Sequence, residues 1–324
     1  MKYHNNILEL IGNTPLVKLN KVVDENCATV LAKLEFLNPL GSIKERMAYH
    51  IISQAEKEGK IKKGDVIVDC TSGNTGIGVA LVASLKGYRS LFTIPNKQSQ
   101  EKINLLRALG AEIIITPADA PSDSPENSHN VAKRIAGERK DAFYLNQHDN
   151  LQNAQAHYLT TGPEIWKQTK GKVNCVVAGI GTGGTLSGIG RFLKEKNKNI
   201  RIVAVDSIGS VFYDVIKNNP ITAPKAYMVE GIGSDTMTQA LDLKVIDDVL
   251  RVSDKEAFLM ARRLLKEEGL FAGGSSGAAM VGAKKIAEEL GKGKLVVTIL
   301  PDSGSRYLSK IYSDKWMKEQ GFLD

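Results

Sequence analysis

The sequence predicts an α/β protein of two open, parallel-type sheets flanked by helices, and three observations point there. Short strand-like apolar runs alternate with helical patterns along most of the chain, the order that yields parallel sheets covered on both faces. The 324 residues hold core for about two domains. Glycine-rich turns recur where a strand-like run passes into a helical one, and open α/β sheets bind ligands beyond the carboxyl ends of their strands.

In chain order, Thr14 to Asn20 and Ala28 to Phe36 alternate as an early pair of strands. Pro39 and Gly41 mark a turn and Ser42 is the expected N-cap of a helix, with Met47, Ala48, Ile51, Ile52 and Ala55 at helical spacing up to Gly59. Strands follow at Asp65–Cys70, Ser90–Ile94, Ala111–Thr116 and Ala142–Asn146. Between them lie helices over Ile77–Leu85 and around Ile103, Leu106 and Leu109, then a polar loop from Ala118 to Asn130 and a short helix. Gly162-Pro163 should break the helical stretch from Asn153 to Thr169. Val173–Ile180, Arg201–Asp206, Val249–Ser253 and Leu295–Leu300 read as the later strands, and Ser253-x-x-Glu256 as a capping box opening a helix to Glu267. The seam between the sheets is expected near residue 150. No repeat or low-complexity segment interrupts the pattern.

Composition narrows the function. No apolar run approaches the ~20 residues of a membrane span, and the polar start from Met1 to Glu9 has no signal-peptide core, so a soluble, cytoplasmic protein is expected. The net charge is +7, but basic and acidic residues are interspersed. The densest basic stretch, Lys194 to Lys198, contains Glu195 and lacks aromatics, which reads as a solvated helix face and not a nucleic-acid surface. A bias toward anionic small molecules is compatible with the charge. Cys27, Cys70 and Cys175 share no metal or redox spacing, and Cys70 and Cys175 belong to apolar runs as buried, inert thiols. The five histidines form no metal-ligand pair either, so no metal site is expected.

Chemistry concentrates in the turns. Lys44 falls in the first turn of its helix, where the macrodipole disfavours the ammonium and favours the neutral amine that attacks carbonyls. A surface lysine offset by Glu45 is the plainer alternative. Thr71-Ser72-Gly73-Asn74-Thr75-Gly76 combines backbone freedom with hydroxyls and helix-start amides. It lacks the lysine of a nucleotide-triphosphate loop, so it suits a carboxylate or a single phosphate, or is merely a well-capped turn. Gly181-Thr182-Gly183-Gly184-Thr185 reads as a phosphate cup of amides and two hydroxyls. Gly179-x-Gly181-x-x-Gly184, with Asp206 ending the next strand, also matches a dinucleotide fingerprint, which keeps an NAD-dependent oxidoreductase as an alternative. Gly273-Gly274-Ser275-Ser276-Gly277 precedes a helix expected to start at Ala278, and Pro301-Asp302-Ser303-Gly304-Ser305 is a fourth such turn.

These motifs occur together, in order, in one known arrangement. From Ile11-Gly12-Asn13-Thr14-Pro15-Leu16 nearly to the C-terminus the chain resembles the pyridoxal-phosphate β-replacement family that contains cysteine synthase and cystathionine β-synthase. Gly41-Ser42-Ile43-Lys44-Glu45-Arg46 resembles the cofactor-lysine motif, with Glu45 where Asp is common. The resemblance implies a tryptophan-synthase-β-like, fold type II architecture. It implies pyridoxal 5'-phosphate held through Lys44, with Asn74 at the cofactor's 3-oxygen, Gly181 to Thr185 around its phosphate and Ser275 at its pyridine nitrogen. Thr71, Ser72, Thr75 and Gln147 would bind the substrate carboxylate. The expected division is a smaller, mobile domain over residues 40–150 and a larger, phosphate-binding one over 1–39 plus 151–324. A homodimer is expected from the family.

Asp123-Ser124-Pro125-Glu126, Val229-Glu230-Gly231-Ile232-Gly233, Leu300-Pro301-Asp302-Ser303 and Ser313-Asp314-Lys315-Trp316-Met317 look closer to the cystathionine β-synthase branch. The haem-binding extension and regulatory module of the animal enzymes are not seen, so neither haem nor an adenosylmethionine response is implied. Ser234 and His148 stand where that branch often has tyrosine, beside the second-substrate site. The implied reaction replaces the Cβ substituent of serine, via an aminoacrylate, with the thiol of homocysteine. Cysteine synthesis from O-acetylserine and sulfide, or sulfide release from cysteine, are the alternatives. Glu230, Gly231 and Asp235 would line the substrate site, with Glu230 or Asp235 assisting the leaving group.

Overall fold

The early alternating runs fold as β1 (Leu16–Lys18) and β2 (Thr29–Leu34), an antiparallel pair, followed by α1 (Lys44–Lys57). Next come β3 (Val66–Cys70), α2 (Asn74–Lys86), β4 (Arg89–Pro95), α3 (Gln100–Ala108), β5 (Glu112–Thr116), α4 (Ser128–Glu138) and β6 (Ala142–Tyr144). After α5 (Gln152–Leu159) and α6 (Thr161–Gln168), alternation resumes through β7 (Cys175–Gly179), α7 (Gly184–Lys196), β8 (Arg201–Ser207), α8 (Phe212–Ile216) and β9 (Asp248–Val252). Then α9 (Asp254–Glu268), α10 (Gly274–Leu290), β10 (Leu295–Leu300) and α11 (Asp314–Glu319) complete the chain. The structure, a computed structural model, describes every residue except Lys2, Ser72, Lys97 and Ser122.

Two sheets result. One is four-stranded and wholly parallel, in the order β5-β4-β3-β6; the other is six-stranded, β1-β2-β10-β7-β8-β9, and parallel apart from β1. Both are covered on two faces, and the period of two shows directly in the packing. Cys175, Val177, Val203 and Val205 join the core beneath α9 and α10, whereas Val176, Ala178, Ile202 and Ala204 join the core beneath α6 and α7. In the smaller sheet Ile67 faces α1 and α2, while Val66, Val68 and Cys70 face α4.

Four local expectations need correction. Ser42 does not cap α1: the N-cap position is Ile43, without a side-chain bond. Glu45 reaches back instead, accepting from Leu40 N at 3.0 Å and Ser42 N at 2.9 Å, so the helix start is tied by a residue inside it. The helical break falls at Thr160, not at Gly162-Pro163. This leaves Pro163 in the first turn of α6, where no N–H is needed. The polar loop ends at Asn127, whose Oδ1 accepts from His129 N at 3.0 Å and opens α4 three residues early. Likewise α10 starts at Gly274, so Ser275 lies inside its first turn. The capping box of α9 forms as expected between Ser253 and Glu256.

Candidate functional site

Lys44 is the first residue of α1, and that helix start is stitched to the loop leaving β10. Ile43 N donates to Pro301 O at 2.8 Å, Ser303 N donates to Gly41 O at 3.2 Å, and Ser42 bridges Asp302. Below it, Arg46 makes a two-pronged pair with Glu35 (2.7 and 2.8 Å) and bonds Glu164 at 2.6 Å, all three buried or nearly so. Lys33, fully buried, closes the cluster on Glu164 at 2.6 Å. Two cations thus meet two carboxylates, the condition under which buried charge is tolerated. Burial pushes the Lys44 amine below the ordinary lysine range, opposed by the charge of Asp302. The lysine is therefore no surface residue: it lines both a cavity of about 730 Å³ and an adjoining hollow of about 30 Å³.

The small hollow is the Gly181–Thr185 turn. Gly181, Thr182, Gly183 and Thr185 line it beside Lys44, and Gly183 takes a left-handed φ of 80° at the N-cap of α7. The amides of Gly181, Thr182 and Gly183 donate to no acceptor among the described residues. α5 braces the hydroxyls: Asn153 Nδ2 donates to Thr182 Oγ1 at 3.0 Å, and His157 Nε2 lies 3.3 Å from Thr185 Oγ1. Gly184 is dictated by packing, since a Cβ there would sit 2.3 Å from Asn153 Oδ1. Asn153 and His157 lay inside a helical pattern and gave no sequence signal.

The first turn is organised differently. Thr71 Oγ1 accepts from both Gly73 N (2.9 Å) and Gly76 N (3.1 Å). Thr75 Oγ1 donates to Gln147 Oε1 at 2.5 Å, and Gln147 Nε2 donates to Cys70 O at 3.0 Å. Thr71, Thr75 and Gln147 all line the large cavity with Lys44; Ser72 lies outside the described residues. Asn153 joins the two turns, its Nδ2 also donating to Gln147 O at 2.8 Å.

Asn74 and Ser275 are not among the residues lining either space. The Asn74 amide bonds Asp302 at 2.7 Å and receives Arg306. Ser275, buried at 3% exposure, has its Oγ 4.0 Å from the position a Cβ on Gly231 would take. The residues thus fit a phosphate-bearing cofactor: amides without an acceptor among the described residues for an anion, and a lysine with a depressed pKa beside them.

Across the cavity the sequence reading was less complete. Glu230, Gly231 and Asp235 do line it. Glu230, however, pairs with Lys102 at 2.5 Å and Lys310 at 2.8 Å. Burial pushes its carboxyl up, but the two lysines outweigh this and hold it below the usual range, so it stays ionised and is no proton donor. Lys102, Tyr307 and Lys310 were missed because nothing marks a salt bridge between residues this far apart in sequence. Asp235 is exposed. Ser234 Oγ is spent on Thr236 O at 2.7 Å. His148 lies edge-to-face on His129 at 4.6 Å, and burial, then His129 and Lys44, push it down to about 3, so it is neutral.

The dinucleotide alternative fails on geometry. Asp206 is fully buried and accepts from Ser207 N at 3.0 Å and Tyr213 N at 2.9 Å, so it reaches no ribose. Gly179 and Gly181 accommodate neighbouring chain: Cβ atoms there would lie 2.4 Å from Ile232 Cγ2 and 2.6 Å from Gly231 O. Cys70 and Cys175 are buried and their thiols are pushed up to about 12, as inert thiols should be. Among the described residues the ligand atoms of Asp24, Cys27 and Glu288 come within 4.8 Å of one another, two of the three exposed.

Comparison with known proteins agrees with this geometry. A family model described as pyridoxal-phosphate dependent enzyme matches residues 7–302. The chain is 46% identical over 320 residues to the cystathionine beta-synthase of Dictyostelium discoideum, covering 99% of this chain and 64% of that one. It is 47% identical over 320 residues to the cystathionine beta-synthase of Mus musculus, covering 98% and 57%. To the cysteine synthase of Staphylococcus aureus it is 46% identical over 306 residues, covering 94% and 96%. The chain therefore spans less than two thirds of these cystathionine beta-synthases and nearly the whole of that cysteine synthase.

Proposed function

The chain belongs to the pyridoxal-phosphate dependent enzymes, and on that premise we propose that it replaces the hydroxyl at Cβ of serine with the thiol of homocysteine, giving cystathionine and water. The observation that carries the reading is Lys44, an amine of lowered pKa placed where a carboxylate clamp and an anion cup meet. Lys44 would hold the cofactor, with its phosphate on the amides of Gly181 to Thr185 and its ring nitrogen at Ser275. When bound, the cofactor supplies an electron sink that stabilises negative charge at Cα and lets the Cβ substituent depart.

The chain's own residues do the rest. Thr71, Thr75 and Gln147 orient the substrate carboxylate, which fixes the Cα–H bond relative to Lys44. Lys44 takes the Cα proton as a general base, a role that a pKa lowered by burial favours. Ser275 would offer a hydroxyl to the ring nitrogen where a carboxylate would hold it protonated, which would keep the sink weak and steer chemistry toward Cβ.

Cavity size supports an amino-acid acceptor. The cavity of about 730 Å³, which would hold the cofactor and serine as well as the acceptor, lies within the range of sites that enclose whole small molecules, whereas sulfide needs little more room than a water molecule. The near-complete coverage of a cysteine synthase favours the second reading, O-acetylserine with sulfide. Initial rates with serine plus homocysteine, O-acetylserine plus sulfide, and cysteine alone separate them. The first pair should turn over fastest; faster turnover of O-acetylserine with sulfide assigns a cysteine synthase instead.

Residues 40–150 are proposed to act as a smaller domain that moves over the cavity, and two chains to form a homodimer. Scattering with and without serine tests the first and sedimentation the second. Among the described residues no helix is long and apolar enough to cross a membrane; a cytoplasmic location is part of the proposal.

A further inference from the structure

The side-chain amide of Asn74 is wedged between two charges. Its Nδ2 donates to Asp302 Oδ2 at 2.7 Å, and Arg306 Nη1 donates to its Oδ1. A guanidinium offers only donors and an ionised carboxylate only acceptors. The amide therefore has one tolerable orientation, because a flip would set its NH₂ against the guanidinium and its carbonyl against the carboxylate. With the carbonyl turned to Arg306 and one N–H spent on Asp302, the second N–H is the one donor left on the amide, and the carbonyl stays turned toward the guanidinium. Asn74 is thus held with an N–H free for a ligand.

Both charges are themselves fixed. Arg306 is 4% exposed and also donates to Leu40 O, in the turn that precedes Lys44. Asp302 is 1% exposed, and its Oδ2 accepts a second bond from Tyr307 OH at 2.6 Å. That phenol in turn accepts from Lys102 Nζ at 3.1 Å. Gly273 must lack a side chain for this to fit, since a Cβ there would lie 2.2 Å from Asp302 Oδ1. Oδ1 finds no hydrogen bond among the described residues, so the carboxylate's hydrogen bonds run through Oδ2.

We propose that Asp302 and Arg306 are positioning residues that lock Asn74 as a donor toward the ionised 3-oxygen of the cofactor, and so set the charge state of that oxygen. The inference rests on the reading that Asn74 meets the 3-oxygen. A locked donor favours the anion, whereas an amide free to rotate can turn its carbonyl to the same oxygen and favour the protonated form. Neither residue touches the reacting atoms; both act through Asn74.

The test reads the cofactor's own absorbance in loaded protein at one fixed pH. The ratio of the long-wavelength band, which requires the ionised 3-oxygen, to the short-wavelength band of the protonated form reports the lock directly. Asp302→Asn and Arg306→Gln should each lower that ratio by about tenfold, the scale of one hydrogen bond to a charged oxygen. Asn74→Ala should lower it as much, and adding Asp302→Asn to Asn74→Ala should change nothing further. A purely structural role would reduce cofactor content but leave the ratio of the loaded fraction at the wild-type value, and that result in the two single variants overturns the inference. If either variant fails to fold, the other carries the same test. Wild-type protein that takes up no pyridoxal 5'-phosphate overturns the site reading as well, which separates the two failures.

Discussion

Two turns of the same outline, Thr71–Gly76 and Gly181–Thr185, divide their donors differently. In the first, Thr71 Oγ1 already accepts the Gly73 and Gly76 amides, and Thr75 is tied to Gln147. In the second, the amides of Gly181, Thr182 and Gly183 have no acceptor among the described residues, while the hydroxyls are braced by α5. The first turn spends two amides internally and keeps those of Asn74 and Thr75 without an acceptor among the described residues, which suits the two oxygens of a carboxylate; a turn with more free amides suits the many acceptors of a phosphate. Strand, glycines and helix are common to both. The partner of each amide decides what each turn can hold.

Lys44 touches both spaces, so its removal should have the largest effect. Lys44→Ala is expected to lower turnover by about 10²–10⁴-fold or more, as the loss of a positioned base implies, while cofactor still binds without a covalent link. Steady-state rates and cofactor content check this; an active, cofactor-replete variant would sink the assignment. The two turns should then separate cleanly. Gly181→Ala drives a Cβ to within 2.6 Å of the Gly231 carbonyl, a backbone clash worth about 1–3 kcal/mol, so cofactor affinity should fall about ten- to hundredfold. Thr75→Val should instead raise KM for serine about tenfold by removing the hydrogen bond that holds Gln147 in the clamp and leaving Gln147 Oε1 unpaired, with cofactor affinity unchanged. If both variants lose cofactor equally, the division of labour is wrong.

The sequence carries the outline of both turns but not their difference. Alternating apolar runs are enough to locate β3, β4, β7, β8 and β10, because each is fully covered and reads as a continuous apolar strand. Glycine clusters mark the turns because only glycine permits such backbone approach. The bracing groups are another matter. Asn153 and His157 sit within a helical pattern that gives no hint that they reach the cup. Lys102, Glu230 and Tyr307 converge from separate parts of the chain. Capping errors at Ser42 and Pro163 have a local cause: several residues satisfy the same rule, and tertiary contacts choose among them. Asp206 illustrates the converse, a residue at the right spacing whose carboxylate is spent on its own turn.

The strands feeding the two turns differ as well, and this gives the smallest effect. β7 ends in Val177, Ala178 and Gly179, but β3 carries Asp69, 1% exposed, directly before Cys70 and the carboxylate clamp. Burial pushes the Asp69 carboxyl up to about 8, against the pull of backbone amides at Cys70, Gln147 and Asn146, and its Oδ2 finds no partner among the described residues. The folded chain therefore holds a proton there that the unfolded chain releases near pH 4. Stability from this group is fully present below that value and is lost as pH rises toward about 8. Asp69→Asn replaces the acid with a neutral group of the same shape and should flatten the dependence. The variant's thermal midpoint should exceed the wild type's by a few degrees at pH 8 and fall level with it or below it at pH 4. Parallel curves across that range would mean that the strand under the clamp carries no more electrostatic strain than the strand under the cup.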